Sequence, residues 1–202
     1  MRCAFDLPRE QNVTLKTNIQ EVISSLKIDS FRKGGENYDG LLRAVALTSL
    51  AEIKTRIHEE GKAADGADIG RYSTKPLYVN PRNSPKAFTP KGKTGRVKFE
   101  SGKPLKTRYF ADGYGGFKSF IGRNLLGKVN LSLSGQLNKQ FLLFPTTDGW
   151  GLGWADDEKY TRAIGLERKY RREIYNLTDE EEQKAVGAAD KYIEDAISKG
   201  AG

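Results

Sequence analysis

The sequence predicts an α+β fold: a small, mostly antiparallel sheet flanked by N- and C-terminal helices, with a long extended basic loop or arm. Three features of the 202 residues predict it. First, residues 129–154 alternate and then turn. Val129, Leu131 and Leu133 fall on one face of a strand, and Asn130, Ser132 and Ser134 on the other. Gln140-Phe141-Leu142-Leu143-Phe144 and Trp150-Gly151-Leu152-Gly153-Trp154 then flank Thr147-Asp148-Gly149, where Asp-Gly tolerates the positive φ of a tight hairpin. No other stretch is as apolar, so this one is expected to be the core sheet. Second, apolar residues repeat at helical spacing on both sides of it. Third, residues 61–108 are broken by Gly and Pro and crowded with Lys and Arg.

The totals bound the function. A chain of this length favours one domain, residues 1–202, with 1–38 as an N-terminal extension and 62–108 as the arm. It is 37% hydrophobic and 10% aromatic, enough for a core, and its mean hydropathy of −0.62 points to a heavily solvated surface. No run approaches the roughly 18 apolar residues of a membrane span. The first eight residues lack the apolar stretch of a secretion signal. A single cysteine, Cys3, excludes an internal disulfide and fits a reducing compartment. With one Cys and one His, a structural zinc site within the monomer is not expected, nor is any other cofactor. The net charge of +8 is unevenly spread. Residues 71–108 hold eleven Lys or Arg against the single acid Glu100, +10 in all, which leaves −2 for the remainder.

Taken in order, Leu15, Ile19, Val22, Ile23 and Leu26 suggest a short amphipathic helix over 17–27, broken by Lys33-Gly34-Gly35. A longer helix follows over 39–60, with Leu42, Val45, Ala46, Leu50, Ile53 and Ile57 as its stripe and Gly61 as the residue after its cap. His58, near the end of that helix, reads as a solvated side chain favoured by the helix C-terminus rather than as a catalytic base. Between 61 and 108 only 96–99 looks like a strand. This segment is either a flexible surface insertion or an arm that becomes ordered on a neighbouring subunit or on nucleic acid. Deleting residues 72–96 is expected to leave the core folded. The aromatic run 109–120 is expected to pack a turn and a short helix onto the sheet; stacking on bases is the competing use. After the sheet come a helix over 156–169, carrying Tyr160, Ala163 and Ile164, and a terminal helix to about 199. The latter opens with the capping box Thr178-Asp179-Glu180-Glu181 and lines its face with Ala185, Ala188, Ala189, Tyr192, Ile193, Ala196 and Ile197.

Signals for catalysis fail on inspection. Gly122-Arg123-Asn124-Leu125-Leu126-Gly127-Lys128 imitates a phosphate-binding loop, but Val129 stands where Ser or Thr should hold magnesium, and a strand is expected where a helix is required. Asp156-Asp157-Glu158 is better explained by capping than by a cation. Every triad would depend on His58 alone. The chain is not expected to be an enzyme.

The order of features resembles the virion morphogenesis proteins of tailed bacteriophages, the small head–tail connector and tail-completion family. The resemblance rests on Leu131-Ser132-Leu133-Ser134-Gly135-Gln136-Leu137, Gly149-Trp150-Gly151-Leu152-Gly153-Trp154, Tyr160, and Ile174-Tyr175-Asn176-Leu177-Thr178-Asp179-Glu180-Glu181. Arg56-Ile57-His58-Glu59-Glu60-Gly61, Asp65-Gly66 and Gly70-Arg71-Tyr72-Ser73 are similarly arranged, so it covers about 39–199. The segment before Asp39 and the long basic loop depart from the family's pattern.

What the resemblance implies is an α+β subunit of a twelve-fold or six-fold homo-oligomeric ring in the neck, between portal and tail. It would be assembled in the bacterial host cytoplasm and contact the portal and other neck or tail proteins, with the DNA in the channel, bound without sequence preference, as a further candidate partner. Its important residues would be contact residues. The basic arm offers Arg71, Lys75, Arg82, Lys86, Lys91, Lys93, Arg96 and Lys98 to partner proteins or DNA. Trp150 and Trp154 share a face of one strand and serve either the core or an intersubunit anchor. The alternative is a basic nucleic-acid-binding protein that uses residues 71–108.

Overall fold

A computed structural model of the chain describes residues 35, 37–80, 107–123, 127–132, 134–147, 149–154 and 156–200. The fold is α+β: among the described residues, helices with two separate two-stranded antiparallel sheets. Its contacts divide the chain into two compact units. One takes residues 1–53, 140–162 and 176–202; the other takes 54–139 and 163–175.

The first unit is built on α1 (Tyr38–Thr55) and the last helix, named α5 below. Leu41 and Val45 of α1 pack on Ala185, Ala189 and Ile193, with Tyr38, Leu42, Tyr192 and Ala196 at the margin. The alanines are what let the two backbones approach. Lys184 adds an ion pair to Glu52 at 2.9 Å. The expected hairpin is present as β3 (Phe141–Thr146) and β4 (Gly149–Trp154), in register from Phe141↔Trp154 to Thr146↔Gly149. Its inner face carries Phe141, Leu152 and both tryptophans. On the outer face the ring of Phe144 lies so close over Gly151 and Gly153 that a Cβ there would stand 3.0 and 2.9 Å from it. The alternating glycines of β4 are therefore the floor on which Phe144 rests.

α1 continues into a π-helical turn, Arg56–Glu60, closed by Gly61 in the left-handed conformation (φ 69°). Arg56 is buried and donates to the carbonyls of Lys62 (3.2 Å) and Ile174 (3.0 Å). Glu167 accepts from the N–H groups of Ile174 and Tyr175 at 2.8 and 3.2 Å. The second unit also holds β1 (Leu77–Val79) and β2 (Arg108–Phe110), paired from Leu77↔Phe110 to Val79↔Arg108. α2 (Gly113–Phe120) then folds back, burying Phe117 and Ile121 against Val79 and Phe110. The aromatic run thus makes the expected turn and short helix, packed on this ribbon rather than on the hairpin. α3 (Gln136–Gln140) leads directly into β3.

α4 (Asp157–Tyr170) starts where Asp156 accepts the Glu158 N–H at 2.8 Å, so the acidic triplet is a cap. α5 (Asp179–Gly200) starts with the reciprocal box: Glu181 N–H to Thr178 Oγ1 at 3.1 Å, and Thr178 N–H to Glu181 Oε2 at 2.8 Å. Ile197, expected on the buried stripe, is 49% exposed.

Two expectations are corrected. The strand expected over 129–134 is not formed by 129–132 or 134, and these described residues are not the core of a sheet. Val129 and Asn130 are both buried, which alternation forbids, and Leu131 has φ 48°. Residues 62–80, assigned to a free arm, are held in the second unit. Lys62 bridges Asp68, Arg71 bridges Lys128, and β1 pairs with β2, a strand the sequence did not signal. The helix expected over 17–27, the strand over 96–99 and most of the basic arm fall outside the described residues.

Candidate interaction surfaces and a buried lysine cluster

Of the cationic residues singled out from the sequence, Arg71 and Lys75 are described, and both are exposed on the second unit. Arg82, Lys86, Lys91, Lys93, Arg96 and Lys98 lie outside the described residues. They belong to the segment whose two ends, Val79 and Arg108, are partners in one ladder. Arg108 lies over the ring of Phe120, 4.1 Å from its centroid. The strand period sends Leu77, Val79 and Phe110 inward, so Tyr78 and Tyr109 meet on the outer face. Their rings are 5.0 Å apart and each residue is 42% exposed. The sequence did not reveal this pair, because it forms across some thirty residues of intervening chain.

Trp150 and Trp154 do share a face, and that face is the inner one. Trp150 donates its indole N–H to Asp39 at 2.9 Å, with the Arg43 guanidinium 5.4 Å from its ring centroid. Trp154 packs on Phe141 at 4.7 Å and on Tyr160 at 6.3 Å. Both are engaged in contacts within their own unit, and both remain partly exposed.

A polar cluster that the sequence reading missed replaces the expected strand. Lys118 of α2 is 1% exposed, and its ammonium donates to Asn130 Oδ1 (3.1 Å) and to the Ser132 carbonyl beneath the ring of Tyr72. Tyr72 donates to the same Oδ1 at 2.9 Å and accepts the Asn130 N–H at 3.1 Å. The ring N–H of His58 meets the Asn130 carbonyl at 2.9 Å, so His58 is tied down rather than solvated. Its pKa is lowered, chiefly by burial, with the charges of Lys54 and Lys118 acting the same way against the Asn130 bond. Burial, and secondarily the Arg123 charge, brings Lys118 down to about 8. Burial pushes Tyr72 up to about 12 and raises the neighbouring Tyr114 as well. The available signal was a lone Lys in an aromatic helix and an Asn in an otherwise Ser-bearing polar face. Lys118 and Asn130 are buried and their side-chain polar atoms are bonded within the cluster, so it holds structure rather than substrate.

Among the described residues no three His, Cys, Asp or Glu side chains gather to hold a metal, and no helix is long and apolar enough to cross a membrane. No protein-family model, curated protein or solved structure matches the chain.

Proposed function

We propose that the chain is a structural virion protein: a subunit of an oligomeric ring in the head–tail neck of a tailed phage, joining portal to tail around the DNA channel. The observation that carries this reading is the pair of ribbons, each two-stranded among the described residues and each presenting large side chains to solvent. Leu142 on β3 is 43% exposed, and Tyr78 and Tyr109 are 42% exposed on β1 and β2. Two-stranded ribbons are marginal alone, and their open edges and faces invite association. Identical copies arranged about an axis would cover such faces at every position.

The order of local structure supports the same reading. Ser134-Gly135 turns into α3, Gly149–Trp154 forms the glycine-rich second strand of a hairpin, and Thr178 with Glu181 opens the terminal helix. No catalytic residue is assigned. The cations of 71–108 would meet acidic protein surfaces or the passing DNA, where charge sets encounter rate and register more than affinity.

One observation favours a second reading, nucleic-acid binding: an exposed tyrosine pair borders a segment of charge +10. Native mass and a DNA titration at two salt concentrations separate the two. A closed oligomer whose weak DNA binding is erased by salt is the expected result. A monomer that binds DNA tightly, losing affinity with a log–log slope of about −0.9 per phosphate contact, overturns it.

A further inference from the structure

The ring reading leaves open which faces of neighbouring copies meet, and resting on that reading the structure supplies a pair. The ribbon β1–β2 has one covered face and one open face. Its open face carries Tyr78 and Tyr109, side chains that offer much contact area for little lost rotamer freedom. Just upstream, Arg71 and Lys75 are exposed, and among the described residues neither forms an ion pair.

The complement lies on the terminal helix. α5 turns Ala185, Ala189 and Ile193 into the first unit, which leaves Gly187, Asp190, Glu194 and Ile197 as an exposed stripe at i, i+3, i+7 and i+10. One cation, Lys191, borders that stripe, and it forms no ion pair among the described residues. Asp190 and Glu194 form no ion pair among the described residues. Ile197 is 49% exposed, and nothing lies within 4 Å of where a Cβ on Gly187 would stand. Across its length α5 carries seven acids against three lysines, whereas residues 71–108 carry +10.

We infer that the Tyr78–Tyr109 face of one copy docks on the outer stripe of α5 of the next copy. The tyrosine pair rests at the Gly187 end of the stripe, while Arg71 and Lys75 face Asp190 and Glu194 further along it. The two patches differ, so each copy uses one of each and the contact runs head to tail, the kind that closes into a ring. DNA would satisfy the cations but would be repelled by the acidic stripe, so it accounts for only half of what is exposed.

The test uses the full chain and two charge-reversed proteins, R71E/K75E and D190K/E194K, all at exposed positions, with melting curves to verify folding. The expected result is that wild type assembles. Each variant alone needs about tenfold or more protein to do so, because like charges now meet. An equimolar mixture regains the wild-type mass with both chains in equal number, since each reversed patch then faces its opposite. Variants that assemble alone like wild type, or a mixture that stays dissociated, overturn this contact while the ring stands. A wild type that is monomeric at every concentration overturns the ring reading and the contact with it. Loss of DNA binding in R71E/K75E beside that monomer identifies nucleic acid as the partner instead.

Discussion

At the scale of single residues, Asn130 decides more than any other side chain. Its N–H, carbonyl, Oδ1 and Nδ2 all find partners inside the second unit: Tyr72, His58, Lys118 and the Arg123 carbonyl. An Asn so fully satisfied is worth more to the fold than the ladder it interrupts. Lys118 is the costly member, a buried cation that no carboxylate neutralises among the described residues. The folded chain releases its proton near pH 8, whereas the unfolded chain holds it to the ordinary lysine value of 10.5. Below pH 8 both states are charged and the cost of burial is felt in full. As pH rises from 8 toward 10.5 the folded state sheds that charge and stability rises. Tyr72 opposes this only above pH 10, where the unfolded tyrosine ionises while the folded one, at about 12, does not. The stability of wild type relative to K118M, from urea midpoints, should therefore increase by about 2 kcal/mol between pH 7.5 and 9.5. An equal difference at both pH values would show that Lys118 keeps its proton in the folded chain through this range, its pKa not lowered by burial. Gly113 makes a simpler demand. It sits at φ 64°, and a Cβ there would lie 2.5 Å from the carbonyl oxygens of both Ser73 and Lys75. G113A should cost about 3 kcal/mol or more, lowering the thermal midpoint by many degrees, because backbone strain and a backbone clash add. A midpoint within a degree of wild type would contradict the placement of 73–75 over the start of α2.

At the scale of elements, what could be read in advance was what neighbouring residues decide among themselves. Thr178 and Glu181 are three apart and cap each other without outside help, so α5 began where the sequence said. T178A should cost about 1 kcal/mol in chemical denaturation. No loss there, with the helix content unchanged, would mean that the box contributes nothing in context. Asp148-Gly149 likewise placed the hairpin, and Gly61 the end of the π-helical turn after α1. The failures all came from partners distant in sequence. The alternation of 129–134 is a real local preference, overridden by Tyr72 and Lys118, which reach Asn130 across 58 and 12 residues. β1 and β2 are three residues each, too short to show a period, and exist because each finds the other. For the candidate surfaces, the cationic charge and the shared face of the tryptophans were legible, since composition and parity suffice for both. The Tyr78–Tyr109 pair and the exposed stripe of α5 were not, because each depends on which face another element covers.

At the scale of the whole molecule, the charge division and the topology meet at one place. The ladder from Leu77↔Phe110 to Val79↔Arg108 pairs the chain on either side of residues 81–106, so the described residues that flank the basic segment lie side by side. The deletion limits 72–96 therefore cut into the folded unit. They would take out Tyr72, which holds Asn130 and packs on Tyr114, and all of β1. Replacing 81–106 with a short Asn-Gly turn respects both strands and shortens the loop, a change worth only about 2 kcal/mol in closure entropy. That variant should melt within a few degrees of the full chain and keep its near-ultraviolet circular dichroism, because every described aromatic contact lies outside the excised residues. Its self-assembly should weaken and lose most of its dependence on salt, since eight of the eleven cations of residues 71–108 go with the excision. Assembly as strong and as salt-sensitive as in the full chain would shift the cationic contact onto Arg71, Lys75 and Arg108. A collapse of the melting transition would instead place residues 81–106 within the folded body, and would end the division of labour between a cationic segment that engages partners and a core that folds without it.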